Sequence, residues 1–147
     1  MLKLCRGRIL KTQPTDIDRE AASLFEPAPG MRVAYRSIFH GRAKMEWCRV
    51  RDGRNCIYGG VDGIDTDDPA TVGCMLAQVE ERGGGVIWTQ PHWRVSIPDD
   101  APYHGKTTAT IIGRSWSVMT IDGVVGDGPT EGAALVAVMR KLKGVKR

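Results

Sequence analysis

The stretch DPATVGCMLAQVEERGGG, residues 68–85, contains the clearest helical pattern in the chain and decides the predicted fold. Asp68 is a favourable N-cap, and Pro69 at the first helical position loses no hydrogen bond by lacking an N–H. Four apolar residues follow the i, i+3, i+4, i+7 spacing of one helical stripe: Val72, Met75, Leu76 and Val79. Because the glycines at 83–85 end this pattern, we predict a helix over residues 69–82.

A second amphipathic pattern predicts a helix over residues 130–142, with Leu135, Val138 and Met139 on its apolar face. Between the two helices, apolar and polar residues alternate with the period of two that is typical of strands. The predicted strands are 86–90, 93–97, 107–112 and 116–121, with turns at Pro91-His92, Gly113-Arg114 and Asp122-Gly123. Because the sequence contains no strand–helix–strand crossover pattern here, we expect an antiparallel sheet on which both helices pack, an α+β fold.

The first 60 residues are predicted to form a β-meander with one short helix. A strand is predicted within residues 2–10, and a helix capped by Thr15 or Asp16 within 15–25. The meander has predicted strands at 31–39, 45–51 and 55–58, with turns at His40-Gly41 and Asp52-Gly53. We interpret 1–147 as a single domain, with a joint at residues 59–63. That joint leaves open a division into a basic β-rich part, 1–60, and an α-β-β-β-β-α part, 61–147.

The composition is that of a globular protein. The chain has 147 residues, of which 41% are hydrophobic and 26% are charged, which excludes a disordered tail or a disulfide scaffold. No run of 18 apolar residues predicts a membrane helix, and the first residues do not match a signal peptide. The four cysteines form no C-x-x-C pair, so we expect reduced thiols and a cytoplasmic location.

Positive charge is concentrated in the first part of the chain. The whole sequence has 21 basic and 17 acidic residues, a net charge of +4. Residues 1–60 contain 12 basic and 6 acidic residues, whereas residues 61–147 contain 9 and 11. This asymmetry indicates an anionic partner for the first part, although a basic face that serves solubility explains it equally well.

The basic stretch 32–54 is the predicted contact surface. Strand alternation places Trp47, Arg49 and Arg51 on one face, and arginine outnumbers lysine six to one in this stretch, which favours bidentate contacts. The predicted partner-binding residues are Arg36, Arg42, Trp47, Arg49, Arg51 and Arg54. Three interpretations stay open: an acidic protein surface, stacked bases and phosphates, or a core tryptophan beside arginines that only solvate the sheet edge.

Other candidate motifs are weaker. Asp62, Asp65, Asp67 and Asp68 form a cluster that suits a hard cation, but acidic residues before a helix are also stabilised by its dipole. The segment 104–107, His-Gly-Lys-Thr, lacks the earlier glycine of a phosphate-binding loop. The three histidines are scattered and no nucleophile motif is present, so we expect no cofactor and do not favour an enzyme.

Residues 66–143 resemble small tailed-phage proteins that carry an α–β–α "phage ABA sandwich" domain. The resemblance lies in the 69–82 helix, the Trp-bearing strands near Trp88, Trp93 and Trp116, and the Ala-rich final helix. It implies a phage or prophage origin and no established chemistry. Small proteins of that origin often bind and disable a host protein, including components of host defence.

These observations together predict a non-enzymatic binding protein. We expect it to be phage- or prophage-encoded and to inhibit a host protein in the host cytoplasm. A nucleic-acid-processing defence complex is one candidate partner, which would make the protein an anti-defence inhibitor of the anti-CRISPR type. The alternative is a nucleic-acid- or nucleotide-binding protein that uses the basic 32–54 face.

Overall fold

The computed structural model describes residues 3–5, 8–51, 61–96 and 110–144. The described elements, in chain order, are β1 (Lys3–Cys5), β2 (Arg8–Leu10), α1 (Asp16–Leu24), β3 (Arg32–Phe39), β4 (Arg42–Arg49), β5 (Val61–Ile64), α2 (Pro69–Gly83), β6 (Val86–Ser96), β7 (Thr110–Thr120), β8 (Val125–Gly128) and α3 (Glu131–Leu142). Every strand pairing among them is antiparallel, and the predicted α+β class is therefore confirmed.

The three described helices begin at polar N-caps. Asp68 caps α2 and Thr130 caps α3, so the helices predicted at 69–82 and 130–142 are confirmed to within a residue. Thr15 caps α1, and the Asp18 carboxylate accepts the Thr15 backbone N–H in return, which makes a capping box. Gly84 ends α2 in the left-handed conformation, with φ of 75°, which favours glycine because it has no Cβ.

The first sheet has the strand order β4-β3-β5. His40 and Gly41 both have positive φ, 51° and 74°, and form the predicted two-residue turn between β3 and β4. The predicted strand 45–51 is instead 42–49, because β4 pairs with β3 from the turn onward. The third strand is 61–64, where we predicted a joint, and it pairs with β3 across the predicted division between residues 60 and 61. The predicted strand 55–58 lies outside the described residues.

The second described sheet has the strand order β6-β7-β8, and its strands differ from the four that we predicted. Over the described residues, the segments predicted as strands 86–90 and 93–97 form one strand, β6, which runs through Pro91 and His92 and is described as far as Ser96, so the predicted turn there is wrong. Because β6 is an edge strand in the described sheet, the missing N–H of Pro91 need not interrupt the ladder. In the same way, β7 runs through the predicted turn at Gly113-Arg114, since both residues pair with β6. We did not predict β8, which follows the confirmed turn at Asp122-Gly123.

The N-terminal segment likewise forms two short paired strands, β1 and β2, in place of the single strand predicted within 2–10. Their pairing is antiparallel, with Leu4 opposite Ile9.

Helix α3 lies at the centre of the core and packs on β7, β8, α1 and α2. The largest fully buried apolar side chains are Met31, Ile64, Met75, Leu135, Val33, Val79, Val118, Val136 and Val138. The first turn of α3 approaches the loop before α2 so closely that a Cβ at Gly132 would lie 2.1 Å from the Thr66 carbonyl oxygen. This contact fixes α3 against the 65–68 loop, which also carries most of the acidic cluster.

Candidate functional site

The predicted contact residues lie mainly on the β3–β4 hairpin. Arg36 is on β3, whereas Arg42, Trp47 and Arg49 are on β4. Arg51 is exposed and lies beyond the end of β4, and Arg54 lies outside the described residues.

The strand register divides these side chains between two faces. Trp47 pairs with Ala34, and Arg49 pairs with Arg32. Because directly paired residues of an antiparallel sheet share a face, Trp47 and Arg49 lie together, as the alternation predicted, and Arg32 and Arg36 join them. Arg42 is an odd number of residues from Trp47, so it lies on the opposite face.

The centre of the first face is a stack of a tryptophan and an arginine. The guanidinium carbon of Arg32 lies 4.4 Å from the centroid of the Trp47 ring, within the range of a cation–π contact. Arg32 Nη1 also donates to Asp65 Oδ2 at 2.6 Å. The Trp47 ring is therefore covered by a side chain that is itself held in an ion pair.

Arg49 is engaged within the chain as well. Its Nη1 and Nη2 donate to the two carboxylate oxygens of Asp68 at 2.9 and 3.0 Å, and Nη1 donates to the Gly30 carbonyl at 2.7 Å. Asp68 Oδ2 accepts from Thr71 N–H and Oγ1–H at 3.0 and 2.8 Å. Burial opposes the charge of Asp68, but the bonds from Arg49 and Thr71 outweigh burial and lower the pKa of its carboxyl to about 2.

The Arg49–Asp68 contact changes how the predicted contact surface must be tested. Arg49 connects β4 to the residue that caps α2, so a charge reversal at Arg49 perturbs the fold as well as the surface. Although Arg49 is exposed, its bidentate ion pair means that a charge reversal there would not report on the surface alone.

The carboxylates of the acidic cluster, residues 62–68, lie close to basic side chains of the same chain. Asp62 lies 3.7 Å from Arg36, and Asp65, Asp67 and Asp68 each form an ion pair of 3.0 Å or less with a basic residue. Within the ranges that the structure describes, no three His, Cys, Asp or Glu side chains are grouped so as to hold a metal ion. The cluster's carboxylates therefore neutralise basic side chains of the same chain.

Sequence reasoning did not identify the most buried charged group, which is centred on Asp18. The Asp18 carboxylate is fully buried and accepts from Lys11 Nζ at 2.7 and 2.9 Å, from Thr15 N–H at 3.0 Å, and from Thr66 N–H and Oγ1–H at 3.1 and 2.7 Å. Lys11 also contacts Asp65 and Asp67, each at 3.0 Å. The spacing of Thr15 and Asp18 could have indicated a capping box, whereas nothing in the sequence indicated Lys11 or Thr66.

This buried group is stable in its charged state. Burial alone would raise the pKa of Asp18, but the hydrogen bonds from Lys11, Thr15 and Thr66 outweigh it and lower that pKa. Burial alone would lower the pKa of Lys11, but its three carboxylate partners outweigh it and raise that pKa. The group therefore holds Lys11, which follows β2, together with α1 and the 65–68 loop.

Apart from exposed Arg51, the described basic residues of the stretch 32–54 that have no close ion pair lie at the turn end of the hairpin. Residues 36–45, which we call the ribbon, extend beyond the part of β3 that pairs with β5. The ribbon contains Arg36, Arg42 and Lys44, all exposed, and no acidic residue. Ile38, on the same ribbon, is 77% exposed.

Cysteine and histidine residues add no site in the described structure. Cys48 and Cys74 are half-buried and form no disulfide in the part of the chain that the structure describes. His40 occupies the ribbon turn, and His92 lies within β6, where we had predicted a turn. His104 and the 104–107 segment lie outside the described residues.

No family model, curated protein or solved structure matches the chain. The resemblance to the phage ABA sandwich domain therefore stays a prediction. Among the described helices, none has the length and apolar character needed to cross a membrane.

Proposed function

We propose that the protein is a non-enzymatic binding protein whose ribbon contacts an acidic surface of a partner protein. The observation that carries this proposal is the exposed charge that is left after the internal ion pairs are assigned. Arg42 and Lys44 are exposed on the ribbon, where no acidic residue is present. Among the residues that the structure describes, the acidic partner of Arg36 is Asp62, in a loose contact of 3.7 Å.

The exposed apolar residue on the ribbon favours a protein partner. Ile38 is 77% exposed and lies beside Arg36 and Ala43 in the hairpin register. Exposed apolar area beside an arginine is typical of protein interfaces, where a few such side chains supply most of the binding energy. A phosphate backbone would use the charges but would gain little from Ile38.

The resemblance of residues 66–143 extends the proposal to biological role. We propose a phage- or prophage-encoded inhibitor that acts in the host cytoplasm by binding a host protein. A nucleic-acid-processing defence complex is the candidate class of partner, because small phage proteins of the kind that residues 66–143 resemble often disable components of host defence.

Nucleic acid is the second candidate partner, and one observation favours it. The ribbon is a two-stranded antiparallel structure with three basic side chains, and a two-stranded β-ribbon fits the major groove of B-DNA. Such a complex would place Arg36 and Arg42 near phosphates or base edges.

A pull-down from host lysate, with and without nuclease treatment, distinguishes the two partners. We expect a stoichiometric protein complex that survives nuclease. Loss of every partner after nuclease would instead support the nucleic-acid alternative. Affinity measured against salt gives a second test, since a phosphate partner predicts a log–log slope of about −0.7 to −0.9 per phosphate contact.

A matched pair of charge reversals tests the ribbon itself. Arg42→Glu should weaken partner binding about 30-fold, because an arginine at the centre of an interface contributes about 2 kcal/mol. Arg82→Glu makes the same change of charge at the exposed C-terminal end of α2 and should leave the affinity within about threefold. Equal effects of the two variants on a folded protein would exclude the ribbon as the contact surface.

A further inference from the structure

The outer edge of the ribbon is formed by β4, which pairs with β3 and with no other strand that the structure describes. Along one strand of an antiparallel pair, alternate residues direct their backbone N–H and C=O groups toward the partner strand, and the residues between them direct these groups away. The register of β3 with β4 is continuous, and Val50, the residue that follows β4, donates its N–H to the Met31 carbonyl at 2.8 Å. The even-numbered residues of β4 therefore bond to β3, and the odd-numbered residues direct these groups to the other side.

Within the ribbon, the residues with outward-directed backbone groups are Ala43 and Met45. Ala43 is exposed and Met45 is half-buried, and no described strand lies on that side of β4. An extended polypeptide that added a strand at this edge would exchange backbone hydrogen bonds with both residues, as in other cases of β-strand addition. The main chain would then supply affinity, and the neighbouring side chains would decide which segment fits.

Two exposed basic side chains flank this edge on one face of β4. Arg42 and Lys44 are about 6.8 Å apart along the strand. Pairing two copies of the chain through Ala43 would set Arg42 of one copy opposite Lys44 of the other, and like charges directly opposite destabilise a sheet. Carboxylates at the same two positions would be attracted instead. The next residue on this face, Glu46, accepts the Tyr35 hydroxyl at 2.9 Å, so the positive part of the edge ends at Lys44.

The opposite face of the ribbon offers an apolar contact. Ile38 is 77% exposed and lies beside Ala43 in the hairpin register, so the two side chains share that face. The single methyl group of Ala43 leaves Ile38 accessible from the edge of β4. A strand added beside β4 would lie about 9.6 Å from β3, and a long apolar side chain opposite Ala43 would meet Ile38 above that methyl group.

We propose that the outer edge of β4 accepts an extended segment of the partner protein in which acidic and apolar residues alternate. The segment adds a strand beside residues 42–45. Its acidic side chains lie opposite Arg42 and Lys44, and the apolar side chain between them lies opposite Ala43, toward Ile38. The inference rests on the proposed function, since the segment belongs to the partner that the ribbon contacts.

A capped hexapeptide, acetyl-Thr-Ile-Glu-Ile-Glu-Thr-amide, tests the edge without the partner, in an NMR titration of the ¹⁵N-labelled protein. The amide signals of residues 42–45 should shift and saturate. At about 90% saturation, hydrogen exchange of the Ala43 and Met45 N–H groups should slow about tenfold, because only the unbound molecules leave them open to water. The Lys44 N–H already bonds to β3 and should slow less, so it is the internal control.

Two N-methylated peptides separate strand addition from simple charge attraction. Methylation of both isoleucine nitrogens removes the N–H groups that face β4, whereas methylation of both glutamate nitrogens removes N–H groups that face away from it. The two peptides have the same charge and side chains, and the first should bind at least about tenfold more weakly than the second. A peptide with glutamine in place of both glutamates should bind about fivefold more weakly than the parent.

Two protein variants locate the peptide. Ala43→Pro removes the outward N–H and no bond between β3 and β4, since proline is tolerated on an edge strand where its nitrogen faces outward. It should weaken the peptide at least about tenfold, and the amide shifts of β3 report whether the hairpin is preserved. Arg82→Glu, at the exposed end of α2, should leave peptide binding within about threefold.

The outcomes separate this inference from the proposed function. Absence of saturable shifts, equal binding of the two N-methylated peptides, or unchanged exchange of the Ala43 and Met45 N–H groups would overturn the assignment of the β4 edge. If Arg42→Glu still weakened partner binding in that case, the proposed function would stand alone. Peptide pairing at β4, together with partner binding that Arg42→Glu leaves unchanged, would support the edge assignment and refute the ribbon contact with the partner.

Discussion

Replacing Asp68 separates the two tasks that its carboxylate performs, capping α2 and holding Arg49. Asn is as good an N-cap as Asp, so Asp68→Asn keeps the bond to the Thr71 N–H and removes the charge. Asp68→Ala removes the cap as well as the charge. The pair of variants therefore measures the ion pair apart from the helix cap.

The expected loss of folding free energy follows from the pKa of Asp68. The pKa is about 2 in the folded protein and about 3.9 in an unfolded chain, a difference that corresponds to about 2.5 kcal/mol of folding free energy. Arg49 is 48% exposed, so solvent screens part of this interaction. We therefore expect Asp68→Asn to lower the free energy of unfolding by about 1–2 kcal/mol at pH 7, and Asp68→Ala by about 1 kcal/mol more.

The pH dependence has a definite sign. Because the folded pKa of Asp68 lies below its unfolded value, this stabilisation is fully present above about pH 3.9 and is lost as the pH falls through about 2. The difference in stability between the wild type and Asp68→Asn should therefore be constant from pH 5 to 8 and should shrink below pH 4. Other carboxylates titrate in both proteins and cancel in the difference.

Urea unfolding followed by tryptophan fluorescence at pH 7, 4 and 2.5 makes the measurement. Arg49→Gln and the double variant complete a double-mutant cycle. The interaction free energy between residues 49 and 68 should account for most of the stability that Asp68→Asn loses. Asp16→Asn, at an exposed pair, should change stability by no more than about 0.5 kcal/mol. A deficit of Asp68→Asn that is absent at pH 7, or undiminished at pH 2.5, would refute the assignment of Arg49 as a structural residue.

Three further predictions concern the core and the buried charged group, each measured by the same unfolding assay. Lys11→Met should lower stability by about 3–5 kcal/mol, because it leaves buried carboxylates without their cation; a loss below about 1 kcal/mol would contradict this. Leu135→Ala should cost about 2–5 kcal/mol because Leu135 is fully buried, and it should cost more than Leu76→Ala, whose side chain is half-buried; the reverse order would contradict the packing. Gly132→Ala should cost about 1–3 kcal/mol because its Cβ collides with the Thr66 carbonyl, and a neutral change would mean that α3 does not approach the loop so closely.

The local patterns of the sequence predicted the helices well. The cap at Asp68, the proline at 69 and the apolar stripe are all signals within one segment, and α2 begins and ends within a residue of the prediction. The His40-Gly41 turn was equally predictable, because its backbone needs two residues that tolerate positive φ.

The sheets were less predictable because long-range pairing decided them. Pro91-His92 and Gly113-Arg114 carry turn signals, yet both pairs lie within long strands that hydrogen-bond to each other. The strand at 61–64 was also missed, since its glycine and aspartate are typical of a loop, and only its pairing with β3 makes it a strand.

The predicted site was likewise predictable from local sequence patterns but not in its long-range contacts. Strand alternation correctly placed Trp47 and Arg49 on one face. It could not show that Asp65 and Asp68, 16 or more residues further along the sequence, return to that face and pair with its arginines. Reading the basic stretch and the acidic cluster as two separate sites therefore missed that they are one ion-paired network.

Because of this ion-paired network, the excess of basic residues in 1–60 is weaker evidence for an anionic partner than the sequence alone suggested. An excess of basic residues in 1–60 indicates an anionic ligand only if those residues are free to bind one. Lys11, Arg32 and Arg49 are occupied by carboxylates of the same chain, and these ion pairs would have to break before the three side chains could bind anything else. Among the described residues of the ribbon, Arg42 and Lys44 are exposed and Arg36 is only loosely held, which is why a charge reversal at Arg42 tests the proposed function more directly than one at Arg49.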